Sequence, residues 1–317
     1  MSNHEQIHPQ SNSEENKFKK ISKEKIIISV QDIIMTYNRR QQEQCDLYFK
    51  YKELKKQNPT YGYKKIAKLL NQSSGKTRWW HAQKHKPVPI QTAEWLEQKG
   101  LLPLTVDNFK LPLIARILGV TFGDGGIFNT LNAIFLSSSE LEATQIFKQD
   151  LIKLFGKEIE QNMELREGGE YGHSWAQWNT NRNVIRFFLA LGAPLGDKSL
   201  THLVVPQWIR LKKDVEDEFY ASFFGNELST PKIHAKKNTL TDLSLGITAT
   251  DHFAENRIAF LSTIAIFLNK NGIETGKICI NDHKKVNRYK QPTKIYKLLI
   301  SKKFENVINF IPLIKLN

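Results

Sequence analysis

Cysteine is nearly absent from this chain, with two residues, Cys45 and Cys279, among 317. That excludes a disulfide framework and any zinc site built on paired Cys or Cys/His spacing, and it fits a reducing compartment. No apolar run is long enough to span a bilayer. The first 25 residues are polar and charged, without the apolar stretch of a secretory leader, and are expected to form a disordered tail. No nucleophile elbow, phosphate-binding loop or dinucleotide fingerprint occurs. The nine histidines are scattered, with no metal-ligand spacing. Residues typical of a splice junction do not flank the chain, so a free-standing, soluble, cytoplasmic protein is expected.

What is present points another way. Hydrophobic residues make up 40% of the chain, enough for real cores, and the length suits two compact domains or one internal duplication. Lys and Arg number 46 against 32 Asp and Glu, a net charge of +14 that favours a polyanionic partner, above all nucleic acid.

The segment Ile117-Leu118-Gly119-Val120-Thr121-Phe122-Gly123-Asp124-Gly125-Gly126 follows an apolar lead-in from Leu111. It reads as a helix that stops at Gly123 with an acid at its last turn. Helix C-termini carry partial negative charge, so a carboxylate there calls for a nearby cation. A Gly-Asp-Gly-Gly run is by itself an ordinary helix-ending turn, but the chain repeats the arrangement. Phe219-Tyr220-Ala221-Ser222-Phe223-Phe224-Gly225-Asn226-Glu227 sets Glu227 against Asp124, Asn226 against Gly123 and Ser222 against Gly119. Small residues one turn apart let two helix backbones approach closely and bring their terminal acids together.

This pair of stretches resembles the two motifs of the LAGLIDADG homing endonucleases. The resemblance implies two such helices side by side at a pseudo-twofold axis, with Asp124 and Glu227 as ligands of the catalytic metals beside Gly123 and Asn226. Leu228 departs from the pattern, standing where a glycine usually follows the acid. Two carboxylates in one site cannot both stay ionised without a cation between them, and a hard divalent ion, Mg2+ or Mn2+, meets that need. The segment 192–199, ahead of Val205-Pro206-Gln207-Trp208-Ile209, resembles the part of the family that supplies a catalytic lysine, here Lys198. Lys315 is the nearest counterpart in the second half.

Four regions are expected: the tail, 1–25; a helical helix-turn-helix DNA-binding domain, 26–104; and two LAGLIDADG-type halves, 111–210 and 211–317. In the first domain a mostly helical stretch, 26–57, breaks at Asn58-Pro59. Ile66, Ala67 and Leu70 then form the buried face of one short helix, and Asn71 can take the left-handed turn. Ser73 or Ser74 can cap a second helix pinned by Trp80, which would carry Lys76, Arg78 and Lys84 towards a DNA groove. Residues 101–110 read as a linker. Each half is expected to follow the order αββαββα, an α+β fold with antiparallel sheets. Leu243, Leu245 and Ile247 alternate with polar residues as a half-buried strand. Other strands are expected over 159–166, 174–180, 277–281 and 294–300.

A charge run is usually a solvated face. Here basic and amide side chains cluster on alternating strands, where they could reach bases and phosphates: Arg166, His173, Gln177 and Asn179 in the first half, then Lys232, His234, Lys236, Lys237, Lys277, Lys284, Lys285, Arg288, Lys290, Lys294 and Lys297 in the second. The expected function is that of a monomeric, pseudo-dimeric, metal-dependent endonuclease cutting double-stranded DNA at a specific site. The alternatives are a non-cleaving DNA-binding regulator with the same fold and a maturase acting on intron RNA.

Overall fold

The computed structural model describes residues 26–82, 85–168, 173–228, 233–234, 239–240, 243–310 and 313. The expected tail lies outside them. The chain is a mixed α/β fold with antiparallel sheets. No helix among the described residues is long and apolar enough to cross a membrane.

The β-branched run Ile26–Ile28 forms a strand, β1, rather than the start of a helix, and it pairs antiparallel with β2, Leu104–Thr105. Residues 101–110 are therefore not a free linker: Leu101, Leu102 and Leu104 are buried in the main core. Helix α1 (Val30–Met35) opens on a capping box between Ser29 and Asp32, and α2 (Arg39–Gln57) opens on Asn38, whose side chain accepts from the Gln41 amide. Two short helices follow, α3 (Tyr63–Leu69) and α4 (Ser74–His81). Asn71 between them has φ +51°, the left-handed turn that its short polar side chain tolerates. Ser73 is the residue that caps α4, accepting from the Lys76 amide. Tyr48, Tyr51, Ile66 and Trp80 close a separate small core around Cys45. Helix α5 (Val88–Gln98) turns the other way and packs into the main core through Ala93 and Leu96.

At the centre lie α6 (Leu111–Phe122) and α9 (Lys213–Glu227). Between them come β3 (Gly125–Ile127), β4 (Ile134–Ser138), α7 (Leu141–Phe155), β5 (Met163–Glu167), β6 (Trp175–Asn179) and α8 (Arg182–Ala190). After α9 come β7 (Ile233–His234), β8 (Thr239–Leu240), β9 (Leu243–Ala249), α10 (Ala254–Lys270), β10 (Thr275–Val286), β11 (Pro292–Ile300) and α11 (Phe304–Phe310). Residues 157–162 form a 3-10 turn where a strand was expected from 159, because Gly156 (φ +98°) ends α7 and Ile159 turns into the core.

The strands join in sheets ordered β3-β4-β6-β5 and β9-β11-β10, with β7 and β8 forming a separate ribbon. The runs β4-β6-β5 and β9-β11-β10 share one pattern: a strand, then a helix, then a hairpin whose second strand inserts beside the first. In both sheets one face is apolar and packs on helices, through Ile134 and Leu136 in the first and Leu243, Leu245, Tyr296 and Leu298 in the second.

Candidate active site

The site begins with how closely α6 and α9 approach. A Cβ at Gly119 would lie 2.2 Å from Ser222 Oγ and 2.3 Å from the Phe219 carbonyl, and one at Gly123 would lie 2.8 Å from Asn226 Cβ. Small residues on both helices are thus required at the crossing. Ser222 tightens it by donating to the Arg116 carbonyl across the interface at 2.7 Å. Below the crossing, Phe122 meets Phe219 edge to face at 5.3 Å, so apolar packing fixes the helix ends that carry the acids.

The two ends differ. Helix α6 stops at Phe122 with Gly123 as cap, and Asp124 sits just beyond, before the chain turns into β3. Helix α9 runs two residues further relative to its acid, so that Glu227 is its last residue and Leu228 its cap. Leu228 has φ −99° and ψ 125°, an ordinary extended geometry that leucine adopts without strain. Glycine is needed after Asp124 for a different reason: a Cβ on Gly125 would lie 2.6 Å from the Phe135 carbonyl of β4.

Lys198 reaches the same place from the segment between α8 and α9. Its ammonium donates to the Gly123 carbonyl and interacts electrostatically with both Glu227 and Asp124. Burial raises the Glu227 carboxyl to about 7, with Lys198 opposing and Asp124 reinforcing the shift. Asp124 is raised in the same direction and for the same leading cause, although the residue is open to solvent on one side. Burial lowers Lys198 to about 8 against the pull of the two acids. Two carboxylates that repel one another, with a cation drawn between them, form a hard oxygen donor set. Such a set fits a divalent metal ion.

The other two expected metal residues serve this packing. The Gly123 carbonyl is taken up by Lys198, and the Asn226 amide turns back to donate to the Ser222 carbonyl at 2.6 Å. Among the described residues no group of three or more His, Cys, Asp or Glu side chains is placed to hold a metal ion, here or elsewhere.

Of the side chains expected at a DNA face, Arg78 is exposed on α4, while Lys76 folds back to Gln72 Oε1 at 3.3 Å and lies 5.1 Å from the Trp80 ring centre. Arg166 is exposed, stacks on Trp178 at 3.6 Å and pairs with Glu164 at 2.9 Å. His173 is exposed, with φ +57°. Gln177 and Asn179 do not face solvent. Their strand β6 turns them with Leu136 to the helix-packed side, where Gln177 donates to the Glu164 and Trp178 carbonyls and Asn179 accepts from the Asn181 amide. The opposite face of that sheet carries the partly buried rings of Phe135 and Trp178 beside the exposed Arg166.

In the second sheet Lys277, Lys285 and Lys290 are exposed, and Lys297 lies in register between Gly246 and Cys279. Lys294 is paired with Asp251 at 2.8 Å, and Arg288 with Asp197 at 3.3 Å. Lys84, Lys232, Lys236, Lys237 and Lys315 lie outside the described residues, as do the side chains of His234 and Lys284.

Sequence reasoning passed over Arg257 and Asp197. Arg257 is fully buried and donates to the carbonyls of Lys198 and Thr201. Asp197 accepts from the Ser199 amide and hydroxyl and so caps the turn that carries Lys198. The signal for Arg257 was present: it falls at helical spacing with Phe260, Leu261, Ile264 and Leu268, a charge in an otherwise apolar stripe.

No family model matches the chain. It is 31% identical over 192 residues to the DNA-directed RNA polymerase subunit Rpo1N of Methanocaldococcus jannaschii, covering 56% of this chain and 14% of that protein. It is 34% identical over 195 residues to the tRNA-splicing ligase RtcB of Pyrococcus abyssi, covering 58% of this chain and 21% of that protein. The chain thus spans about a fifth or less of the length of these relatives. Among solved structures, the homing endonuclease I-DmoI in complex with DNA and Ca aligns with 65% of this chain and 91% of its own, at 14% identity and a TM-score of 0.38. That likeness is too distant to carry a conclusion.

Proposed function

We propose that the chain is a metal-dependent endonuclease of the LAGLIDADG type that cuts both strands of a DNA duplex. In this reading residues 111–210 and 211–317 are pseudo-symmetric halves, and residues 26–104 add a helix-turn-helix contact through Arg78. The observation that carries it is the meeting of Asp124, Glu227 and Lys198 at the ends of two helices packed too closely for any larger side chain. The matched relatives add support of another kind. The likeness to a polymerase subunit and to an RNA ligase is confined to 14% and 21% of their lengths, so the activity of neither whole protein is carried over to this chain. The matched part has the character of a module found in unrelated proteins.

In the proposed reaction Asp124 and Glu227 hold the divalent ion by their carboxylate oxygens. When bound, that ion supplies Lewis-acid activation of water and charge neutralisation at the scissile phosphate. Glu227, held up near 7, binds a proton readily in the metal-free protein, so its charge becomes fixed only with a cation at hand. Lys198, fastened to the Gly123 carbonyl, places a positive charge where the phosphate gains negative charge in the transition state. In this reading the exposed Lys277 would meet the polyanionic DNA backbone.

The test is digestion of a genomic DNA library by the purified protein, with magnesium and with EDTA. Discrete magnesium-dependent double-strand breaks are expected, falling by at least about 10²-fold in Asp124→Asn and in Glu227→Gln. Retention of DNA without cutting would replace the enzyme with a regulator. Preference for structured RNA over duplex DNA would replace it with a maturase.

A further inference from the structure

We propose that Arg257 is a positioning residue for Lys198, so that α10 sets the place of a lysine carried by the segment between α8 and α9. The inference rests on the nuclease reading only for what Lys198 does, not for how it is held.

Arg257 is 0% exposed, near the start of α10. A guanidinium in such a place is costly unless its donors are met. Its two terminal nitrogens are met, one by backbone of the segment that follows Asp197, donating to the carbonyls of Lys198 and Thr201. The other donates to Asn256 Oδ1. Nε finds no partner among the described residues, and burial pulls the group down to about 10. Apolar filling of this space would need none of that. A planar cation that gathers two carbonyls fixes the direction of a turn.

The same segment is held from three further points of the second half. Asn256 clasps Leu203 at both amide (2.9 Å) and carbonyl (3.0 Å). The Thr250 amide donates to the Ser199 carbonyl at 3.2 Å. At the tip of the β10–β11 hairpin, Arg288 pairs with Asp197 at 3.3 Å and Asn287 donates to Ser199 Oγ at 3.4 Å. Every one of these fastens backbone or cap atoms and leaves the Lys198 side chain to extend away, towards Gly123 and the two acids. Arg257 is the buried member of the set, and of these α10, loop and hairpin contacts it alone reaches the Lys198 carbonyl.

A displacement of about 1 Å in a charged group at a reacting phosphate costs on the order of 10²-fold in rate. Arg257→Leu should therefore lower the single-turnover cleavage rate about 10²-fold while DNA affinity in calcium changes less than about twofold. Arg257→Lys, which keeps the charge but reaches fewer carbonyls, should recover part of the rate. The deciding measurement is a double-mutant cycle with Lys198→Met. If Arg257 works through Lys198, adding Arg257→Leu to that variant lowers the rate no further. Additive losses would overturn the proposal.

Amide hydrogen exchange on the uncut, DNA-free protein tests the holding itself and needs no nuclease activity. Arg257→Leu should speed exchange in 198–203 and leave 119–123 and 222–227 protected. Faster exchange spread over the whole second half would show a general packing residue and sink the inference. A wild-type protein that cleaves nothing yet gives the local exchange pattern would refute the nuclease and keep the positioning.

Discussion

At the scale of single residues, the acid pair holds a tension that pH can expose. The Glu227 carboxyl sits at about 7 in the folded chain against an ordinary 4.5. Between those values the folded state binds more protons than the unfolded one, so unfolding free energy falls as pH rises through the window. Stability from this group is complete below about 4.5 and lost above about 7. Glu227→Gln has no such loss. In EDTA and without DNA, the variant should match the wild type near pH 4.5 and exceed it by on the order of 1 kcal/mol at pH 8, allowing for water that reaches a half-buried carboxyl. Loss of one counter-charge to Lys198 trims the gain. Denaturant melts at the two pH values decide it, and a difference that does not vary with pH would refute the burial account. A site that is more stable once its acid is neutralised is one shaped for something other than folding.

At the scale of elements, the α6–α9 crossing was legible because it depends on what is missing, side-chain volume, which a sequence displays directly. Gly119→Ala shows how firmly. Its new methyl would meet the Phe219 carbonyl as well as Ser222 Oγ, and a helix backbone cannot step aside as a flexible side chain can. A loss of about 3 kcal/mol is expected, with no rescue by Ser222→Gly, because the carbonyl stays in place. Full rescue would mean that the hydroxyl alone sets the spacing. The strand faces were less legible. Alternation located β6, but Gln177 and Asn179 read as polar and therefore outward, whereas β6 turns them with Leu136 into the helix-packed face. The amides satisfy backbone carbonyls and a turn there, a use that composition does not distinguish from base reading. Leu228 departs from the motif pattern without strain. It broke a glycine pattern whose reason, the approach of β4 to Gly125, belongs to the first motif, where its Cβ would clash.

At the scale of the whole molecule, the helical region before residue 105 is built into the core around α6, α7 and α8 rather than strung beside it. A two-residue strand such as β2 carries almost no signal of its own, so 101–110 reads as a linker until its pairing with β1 is seen. Leu101, Leu102 and Leu104 then belong to the same core as Phe155 and Phe187. Trp95 of α5 stacks on Phe155 of α7 at 5.6 Å. Tyr37 Oη and Thr92 Oγ1 share a hydrogen bond at 2.7 Å, and Thr92 passes its own proton to Asn183 Oδ1 of α8 at 2.7 Å. Arg186 of α8 donates to the Thr36 carbonyl and lies 4.0 Å from the Tyr37 ring centre. A buried polar chain of this kind fixes one arrangement, since a shifted one would leave its members unsatisfied. The small core around Cys45 lies further out, yet α1 and α5 tie it to this seam. Heat should therefore unfold the helical region and the first half in one transition. Trp95→Ala should lower that single midpoint, by about 2 kcal/mol for a half-buried ring, rather than split it. A separate early melt of the helical region, seen as loss of helix signal before the near-ultraviolet aromatic signal of the first half, would show instead that the two fold apart. On the proposed function that outcome matters: a helix bearing Arg78 that is rigid with respect to the first sheet meets duplex DNA in one register, whereas an independently melting one would not.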